Sequence, residues 1–209
     1  MIFENRQQAG RLLAEALKEY AGKEVLVLAL PRGGVVLGYE VAKALGAPLD
    51  LVITKKISHP LDPEYALCAV AEEGEPLCSE DAAEKMGREW LEDAALTVQR
   101  EIRRRREAYC GNRPSPDIRG KAVIVVDDGI ATGLTMMAAI QEVRSHEPKE
   151  LIVAIPVTPG DTARRLEALA DRLVSLKIDE AYLGYVGAYY MDFSQVEDEE
   201  VRRLLGAET

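Results

Sequence analysis

Runs of apolar residues that are nearly unbroken recur along this chain of 209 residues, and they constrain its fold more than any other feature. The runs "VLVLAL", "AVIVV" and "LIVAIPV" lack the alternation of a half-exposed strand, so each is expected to be buried on both faces. Segments with apolar residues at helical spacing separate them, as in "ENRQQAGRLLAEAL". This order of elements predicts an α/β fold, in which helices cover both faces of a parallel sheet.

No linker divides the predicted elements, so we expect a single domain over residues 1–209. "VVLGYEVAKALG" predicts a helix that ends at Gly46, and "APLDLVITKKI" predicts the next strand. Residues 57–110 are expected to form a loop or hairpin followed by one long helical insertion, and "DRLVSLKI" to form the last core strand. Residues 180–209 form a tail that is rich in tyrosine.

Charge and composition exclude several kinds of protein. The net charge of −10 disfavours a broad nucleic-acid-binding surface, and no apolar run approaches the roughly 20 residues of a membrane span. Two histidines are too few and too far apart to suggest a histidine-ligated metal cage. Cys68, Cys78 and Cys110 are odd in number and form no CxxC pair, which favours a reduced, cytoplasmic setting.

The segment "KAVIVVDDGIATGLTM" places two adjacent acids, Asp127 and Asp128, at the carboxyl end of a predicted strand, where parallel sheets bind ligands. Neighbouring carboxylates need a partner, and a ribose diol, a Mg²⁺ ion or a developing cation would serve. The small-residue loop leads into a helix, whose free N–H groups favour a phosphate. Together these features predict a ribose 5-phosphate pocket. The alternative is an ordinary Asp-Gly turn with Thr132 as a helix cap.

"VIVVDDGIATGLT" resembles the motif by which type I phosphoribosyltransferases bind 5-phosphoribosyl 1-pyrophosphate (PRPP): an apolar strand, two acids, and a small-residue loop that ends in T-G-x-T. It is neither a Walker A loop nor a GxGxxG motif. The resemblance implies a Rossmann-like parallel sheet with helices on both faces, a C-terminal hood and a helical insertion. It also implies that Asp127 and Asp128 bind the ribose hydroxyls. The residues that it implies for the ribose and 5-phosphate are Asp127, Asp128, Gly129, Ala131, Thr132, Gly133, Leu134 and Thr135.

An earlier segment, "LALPRGGVVLGYEVAKAL", resembles the pyrophosphate loop of the same family, in which a cis non-proline peptide is common. By this resemblance Arg32 and the N–H groups of Gly33 and Gly34 bind pyrophosphate oxygens. Lys55 and Lys56, at the end of the next predicted strand, are further candidates. The alternatives are a glycine-rich helix start with a solvated arginine, and an exposed strand end.

The tail segment "YVGAYYMDFSQV" resembles the part of the hood that reads the base in purine phosphoribosyltransferases. Tyr189 or Tyr190 would stack on a base and the backbone of Val186 would hydrogen-bond its edge, unless the tyrosines pack in the core.

"HPLDPEYALCAV", at the position of the mobile active-site loop, resembles a little-characterised family branch in which a glycine is expected in place of Cys68. The arginines of residues 100–106 are interpreted as a solvated helix face, with an oligomer contact or an anion site as alternatives.

The resemblance implies transfer of the phosphoribosyl group from PRPP to a nucleobase or related nitrogen acceptor, with release of pyrophosphate. It implies Mg²⁺ held mainly by PRPP, with waters that bridge to Asp127 and Asp128, and we expect a homodimer. Ala131 stands where hypoxanthine-guanine enzymes carry an aspartate, so the base is not identified. Two alternatives remain: a sensor of PRPP or nucleotides with little or no catalysis, and an interaction protein that keeps only the fold.

Overall fold

The computed structural model describes residues 1–206, apart from the side chains of Pro63, Glu64 and Ala83. Residues 207–209, which end the predicted hood segment, lie outside the described residues.

A five-stranded parallel sheet forms the centre of the molecule, with the strand order β2-β1-β6-β7-β8. Its strands are β1 (Val25–Ala29), β2 (Leu49–Leu51), β6 (Ala122–Val126), β7 (Glu150–Pro159) and β8 (Arg172–Asp179). The apolar runs of the sequence are β1, β6 and most of β7, and all five residues of both β1 and β6 are buried. The prediction of an α/β fold with a buried parallel sheet is therefore confirmed.

Helices cover both faces of this sheet. They are α1 (Arg6–Ala16), α2 (Gly33–Leu45), α5 (Leu134–Ser145) and α6 (Gly160–Glu167). Val27 of β1 faces the core with α1 and α2, while its neighbour Leu28 faces the core with α5 and α6. The helix predicted to end at Gly46 does so, because Gly46 adopts the left-handed conformation at φ 66°. A short C-terminal helix, α7 (Asp198–Leu204), packs against α2.

Residues 55–110 form a separate layer, which we call the insertion. It contains an antiparallel sheet of β3 (Lys55–His59), β4 (Asp62–Val70) and β5 (Leu77–Cys78), then α3 (Ala82–Met86) and α4 (Arg88–Cys110). The single strand expected over residues 47–57 was wrong, because the chain leaves the main sheet after β2 and the exposed Lys55 and Lys56 begin a different sheet. The single long helix was also wrong, because Gly87 at φ 81° separates α3 from α4.

A disulfide between Cys68 and Cys78 joins β4 to β5. The antiparallel register places these two residues opposite each other, with their Cα atoms 3.9 Å apart. The reduced setting that the cysteine count favoured therefore loses this support, and Cys110, the buried last residue of α4, is the remaining thiol. The pairing was missed because ten residues separate the two cysteines and their apposition depends on a hairpin register.

None of the helices among residues 1–206 combines the length and the apolar character that crossing a membrane requires.

Candidate active site

The two loops that carry the predicted phosphate and pyrophosphate residues are neighbours, because their strands pair directly. The β1–β6 register ends with Ala29 opposite Val126. Leu30, the next residue of the first loop, donates its N–H to the Val126 carbonyl at 2.9 Å. The loop that follows β1 therefore lies beside the two acids that follow β6, at the carboxyl edge of the sheet.

Two glycines allow the first loop to lie directly on the acid pair. A Cβ atom on Gly34 would lie 2.8 Å from the Val126 carbonyl oxygen and 2.9 Å from the Asp127 Cα atom. A Cβ atom on Gly33 would overlap the Asp128 carboxylate. Because the first two contacts are with backbone, the structure has no room for a side chain there. The glycines thus bring the start of α2, with its free N–H groups, against the acids.

Arg32 precedes these glycines, and the peptide bond between Pro31 and Arg32 is cis, as the resemblance predicts. Its guanidinium is about one-third exposed, 3.7 Å from Asp198 Oδ1 and 4.0 Å from Glu197 Oε2 at the start of α7. Tyr109 of α4 donates its hydroxyl to the same Asp198 oxygen at 2.6 Å. The C-terminal helix therefore supplies carboxylates to the predicted pyrophosphate arginine, a contact that the local sequence pattern did not indicate.

The two acids are in different electrostatic environments. Burial raises the pKa of Asp127 well above its ordinary value, and the neighbouring charge of Asp128 raises it further. Its Oδ1 accepts the N–H of Asp128 at 2.8 Å. Burial also raises the pKa of Asp128, but the charge of Arg6 and its hydrogen bond offset part of that rise. The pair therefore carries more negative charge than its surroundings compensate, which favours a cation or a hydroxyl donor beside it.

Arg6, at the first position of α1, is a site residue that the sequence did not reveal. Its Nε donates to Asp128 Oδ2 at 2.7 Å, and its Nη1 donates to the carbonyl of Ser194 at 2.7 Å. The guanidinium lies 3.8 Å from the centre of the Phe193 ring. Arg6 thus connects the acid pair to the tail through residues that are far apart in sequence, and no local motif signals such a contact.

The loop after the acids has the geometry expected for a phosphate site. Gly133 adopts φ 78° and precedes the first turn of α5, whose N–H groups have no helical partners at that end. Ala131 and Thr132 are exposed, and Thr135 is half-buried. Thr162 of α6 braces the loop by donating its hydroxyl to the Ala131 carbonyl at 3.0 Å. The residues predicted to bind the 5-phosphate are therefore contiguous here. They are Gly129, Ala131, Thr132, Gly133, Leu134 and Thr135.

Lys55 and Lys56 are exposed at the start of β3, and Lys55 forms an ion pair with Glu101 of α4. Lys55 also lines a cavity of about 170 Å³ with Arg104 and Arg105. Most of the arginine cluster, Arg100 and residues 103–105, is exposed as the solvated-face interpretation predicts. Arg106 departs from that interpretation, because it is buried and donates to Asp50 Oδ1 at 3.0 Å.

Of the three predicted base-binding residues, Val186 and Tyr190 lie beside the acid pair, whereas the hydroxyl of Tyr189 is bound to Asp179. Val186 packs so closely on Gly129 that a Cβ atom there would overlap it. Tyr189 is fully buried and donates its hydroxyl to Asp179 at 2.7 Å. Tyr190 is 7% exposed and donates to the Asp128 carbonyl at 2.5 Å. Neither ring presents an open face in this structure, and base stacking by either one stays a prediction. Tyr185, with 65% of its surface exposed, has the accessible ring in this segment.

The acid pair fits a hydrated Mg²⁺ ion. Magnesium retains most of its water and typically takes only one or two protein carboxylates. Asp127 and Asp128 offer two carboxylates, of which Asp128 is already paired with Arg6. Burial and the neighbouring charge of Asp128 raise the pKa of Asp127. Water-mediated contact with Mg²⁺ therefore suits the donor set that is present.

Comparison with known proteins supports one family. The model of the phosphoribosyl transferase domain matches residues 1–190. The chain is 41% identical to TT1426 from Thermus thermophilus, whose crystal structure superposes with a TM-score of 0.84 over 98% of both chains. The Mycobacterium tuberculosis H37Rv protein named "Putative phosphoribosyl transferase Rv0571c" is 38% identical over 98% of this chain, which spans only 46% of that protein.

A more distant structure, that of AQ2163 from Aquifex aeolicus, is 12% identical in sequence and has a TM-score of 0.51. The match covers 83% of this chain and 74% of the AQ2163 chain, and it shows the fold alone. The family match covers both predicted phosphate-binding loops, the acid pair and the first hood residues. The chain belongs to the family of proteins with a phosphoribosyl transferase domain.

Proposed function

We propose that this protein transfers the 5-phosphoribosyl group of PRPP to a nucleobase or a related nitrogen acceptor and releases pyrophosphate. The observation that carries the proposal is the direct packing of the glycine loop after β1 on the acid pair after β6. Three anion- or diol-binding elements meet at this edge of the sheet: the loop of Arg32, the acid pair, and the start of α5. PRPP carries a 5-phosphate and a 1-pyrophosphate on either side of its ribose diol, and these are the groups that the three elements are proposed to bind.

Each element has a distinct role in this proposal. The N–H groups around Gly133 and the hydroxyls of Thr132 and Thr135 bind the 5-phosphate. Asp127 and Asp128 accept hydrogen bonds from the ribose hydroxyls. Arg32 and the N–H groups that begin α2 bind the pyrophosphate, and Lys55 and Lys56, at the start of β3, are the additional cations of the proposal.

The chemistry follows from charge and position. Departure of pyrophosphate from the anomeric carbon leaves an oxocarbenium-like ribose, and a carboxylate pair beside the ribose stabilises that positive charge. Fixing the 5-phosphate and the pyrophosphate at separate sites holds the anomeric carbon in line for attack by the acceptor nitrogen. When Mg²⁺ is bound with PRPP, it neutralises the leaving group. The chain's own contribution is therefore binding, orientation and negative charge, without a required proton-transfer residue.

The hood places the acceptor. Val186 contacts Gly129, immediately after the acids, so a base held by the Val186 backbone would lie beside the ribose. Ala131 provides no carboxylate for a proton relay to a purine, so the proposal includes no such relay. The acceptor is defined here only as a nitrogen nucleophile of nucleobase type.

One observation favours a second function on the same site, the sensing of PRPP or a nucleotide without turnover. Asp128 is paired with Arg6, and Arg32 faces Glu197 and Asp198, so the ligand must compete with internal ion pairs at two positions. A site of this kind would bind and release a ligand as a signal. The two functions differ in one measurable outcome, the release of pyrophosphate.

The test is pyrophosphate release from PRPP and Mg²⁺ in the presence of a panel of purine bases, pyrimidine bases and related nitrogen acceptors. Release that depends on one acceptor supports the transferase and identifies its substrate class. Calorimetric binding of PRPP without release by any acceptor supports the sensor. Absence of both binding and release contradicts the proposed site.

Homodimerisation and a cytoplasmic location remain predictions. The odd number of cysteines no longer supports a cytoplasmic location, because Cys68 and Cys78 form a disulfide.

A further inference from the structure

A cavity of about 80 Å³ lies between the connection that joins β4 to β5, the C-terminal half of α5, and residues 115–118. Its polar lining consists mainly of Glu72, Glu73, Arg106, Glu142 and His146. α5 begins at the phosphate loop, and Glu142 is eight residues further along it. At 1.5 Å per residue this is roughly 12 Å along the helix axis, so the cavity is distinct from the phosphate-binding end of α5.

Three groups that can bind metals converge in this cavity. One carboxylate oxygen of Glu73, one of Glu142 and a ring nitrogen of His146 all lie within 4.8 Å of one another. Glu142 and His146 are four residues apart, which places them on the same face at the end of α5. Glu73 comes from the β4–β5 connection, and its N–H donates to Glu142 Oε2 at 2.9 Å. Two separate parts of the chain therefore contribute to one cluster.

The distances within the cluster suit a shared ion better than direct hydrogen bonds. His146 Nε2 is 3.9 Å from Glu73 Oε2 and 3.9 Å from Glu142 Oε1. Both separations are too long for hydrogen bonds. Two ligand atoms bound tetrahedrally to one Zn²⁺ ion, at about 2.0–2.2 Å each, lie roughly 3.4 Å apart. The two separations that involve His146 are therefore about 0.5 Å longer than those of ligand atoms on one Zn²⁺ ion.

Charge at the cavity points to the same ligand. The side chain of Glu142 is 12% exposed, and those of His146 and Glu73 are 39% and 65% exposed. Among the described residues that line the cavity, Arg106 is the permanently charged cation, and it is already shared between Asp50 at 3.0 Å and Glu72 at 3.9 Å. The cavity therefore holds more carboxylates than cations to compensate them.

We propose that Glu73, Glu142 and His146 bind one divalent transition-metal ion, with Zn²⁺ as the preferred ion and water in the remaining coordination positions. The imidazole selects against Mg²⁺ and Ca²⁺, which take oxygen ligands, and Zn²⁺ binds such nitrogen and oxygen sets more tightly than Mn²⁺. The ion holds the β4–β5 connection on α5. The Cys68–Cys78 disulfide joins the two strands that flank the same connection. The ion and the disulfide therefore restrain the connection at two points.

The test is equilibrium dialysis of the metal-stripped, oxidised full chain against Zn²⁺, followed by measurement of bound metal. One Zn²⁺ per chain is expected at this site for the wild type. His146→Gln and Glu142→Gln are each expected to weaken binding by at least the 10–100-fold that a lost supporting group costs. The chain has two histidines, so His59→Gln is the matched control and is expected to retain the ion. Glutamine at position 142 keeps an oxygen for the Glu73 N–H, and circular dichroism checks that each variant is folded.

Cobalt substitution gives a second measurement that does not depend on stoichiometry. Bound Co²⁺ is expected to show visible d–d bands in the wild type and in His59→Gln, and these bands should be lost in His146→Gln. Two results would overturn the proposal: no stoichiometric Zn²⁺ in the wild type, or Zn²⁺ retained with equal affinity by a folded His146→Gln variant. Loss of Zn²⁺ in His59→Gln would contradict it as well, because it would place the ion elsewhere.

Discussion

The carboxyl edge of the main sheet and the insertion of residues 55–110 are held together by different kinds of contact. At the edge, glycine backbone lies directly against the acid pair, and a Cβ atom on Gly34 would come within 2.9 Å of the Asp127 Cα atom. The insertion contributes to a buried apolar cluster and also has cross-links between side chains. The cross-links are the Cys68–Cys78 disulfide and the ion pairs of Lys55 with Glu101 and of Arg106 with Asp50. The first region excludes added atoms, while the second depends on particular pairs.

This difference predicts how substitutions in each region affect stability and ligand binding. A change at the edge moves backbone and therefore moves the groups proposed to bind PRPP. A change in the insertion removes one cross-link, which lowers stability without displacing the acid pair. Stability and ligand binding should therefore separate when variants of the two regions are compared.

The largest effect on stability is expected from loss of the disulfide. Its ten-residue separation predicts that Cys68→Ser with Cys78→Ser lowers the free energy of unfolding by about 3 kcal/mol, while PRPP affinity changes little. Urea denaturation with and without reductant measures the difference. Reductant should destabilise the wild type and leave the variant unchanged. Equal unfolding free energies for both proteins under oxidising conditions would show that the cross-link does not stabilise the insertion.

A smaller loss of stability, but a larger loss of ligand binding, is expected for Gly34→Ala. The added methyl group meets backbone atoms, which predicts a cost of about 2 kcal/mol and loss of PRPP binding. Gly74→Ala is the control in the insertion, because it has open space and only its φ of 81° is unfavourable, at about 1 kcal/mol. Denaturation and PRPP calorimetry on both variants test the comparison. Normal PRPP affinity in Gly34→Ala would contradict the prediction that close packing of this glycine is needed for PRPP binding.

The smallest change is expected from Asp127→Asn, and it should increase stability. Because the folded state raises the pKa of Asp127, its contribution to stability is present below the unfolded value of about 4 and is lost as pH rises through the folded value. The variant should therefore be more stable than the wild type at neutral pH and should lack part of the wild type's fall in stability with pH. Asparagine keeps an oxygen for the Asp128 N–H.

Asp128→Asn is the control for that prediction, since it removes the ion pair with Arg6. It should show no comparable gain in stability. Denaturation of both variants at acidic and neutral pH distinguishes them. A destabilised Asp127→Asn variant at neutral pH would mean that the Asp127 charge is compensated in the folded protein.

The same two regions also differ in how much of their structure could be predicted from the sequence. Continuous apolar runs predicted β1, β6 and β7, because strands buried on both faces need them. The acid pair and its small-residue loop were recognisable because they form one contiguous motif. Contacts of Arg6 with Asp128 were not predictable, since they join residues 122 positions apart. The contacts of Arg32 with the carboxylates at the start of α7 were not predictable for the same reason.

In the insertion, prediction failed for a related reason. A loop or hairpin was predicted over residues 57–78, but its register was not, and the register is what pairs Cys68 with Cys78. The burial of Arg106 depends on Asp50 of β2, which belongs to the other layer. Side-chain cross-links between layers leave no periodic pattern in the sequence, whereas buried strands do.

The most direct test of the proposed site is calorimetric titration of PRPP with Mg²⁺ into the wild type and into Asp127→Asn with Asp128→Asn. The wild type should bind PRPP, and the folded double variant should bind on the order of 100-fold more weakly or not at all, because both ribose acceptors lose their charge. PRPP affinity that is unchanged in a folded double variant would contradict the assignment of the acid pair as the ribose site.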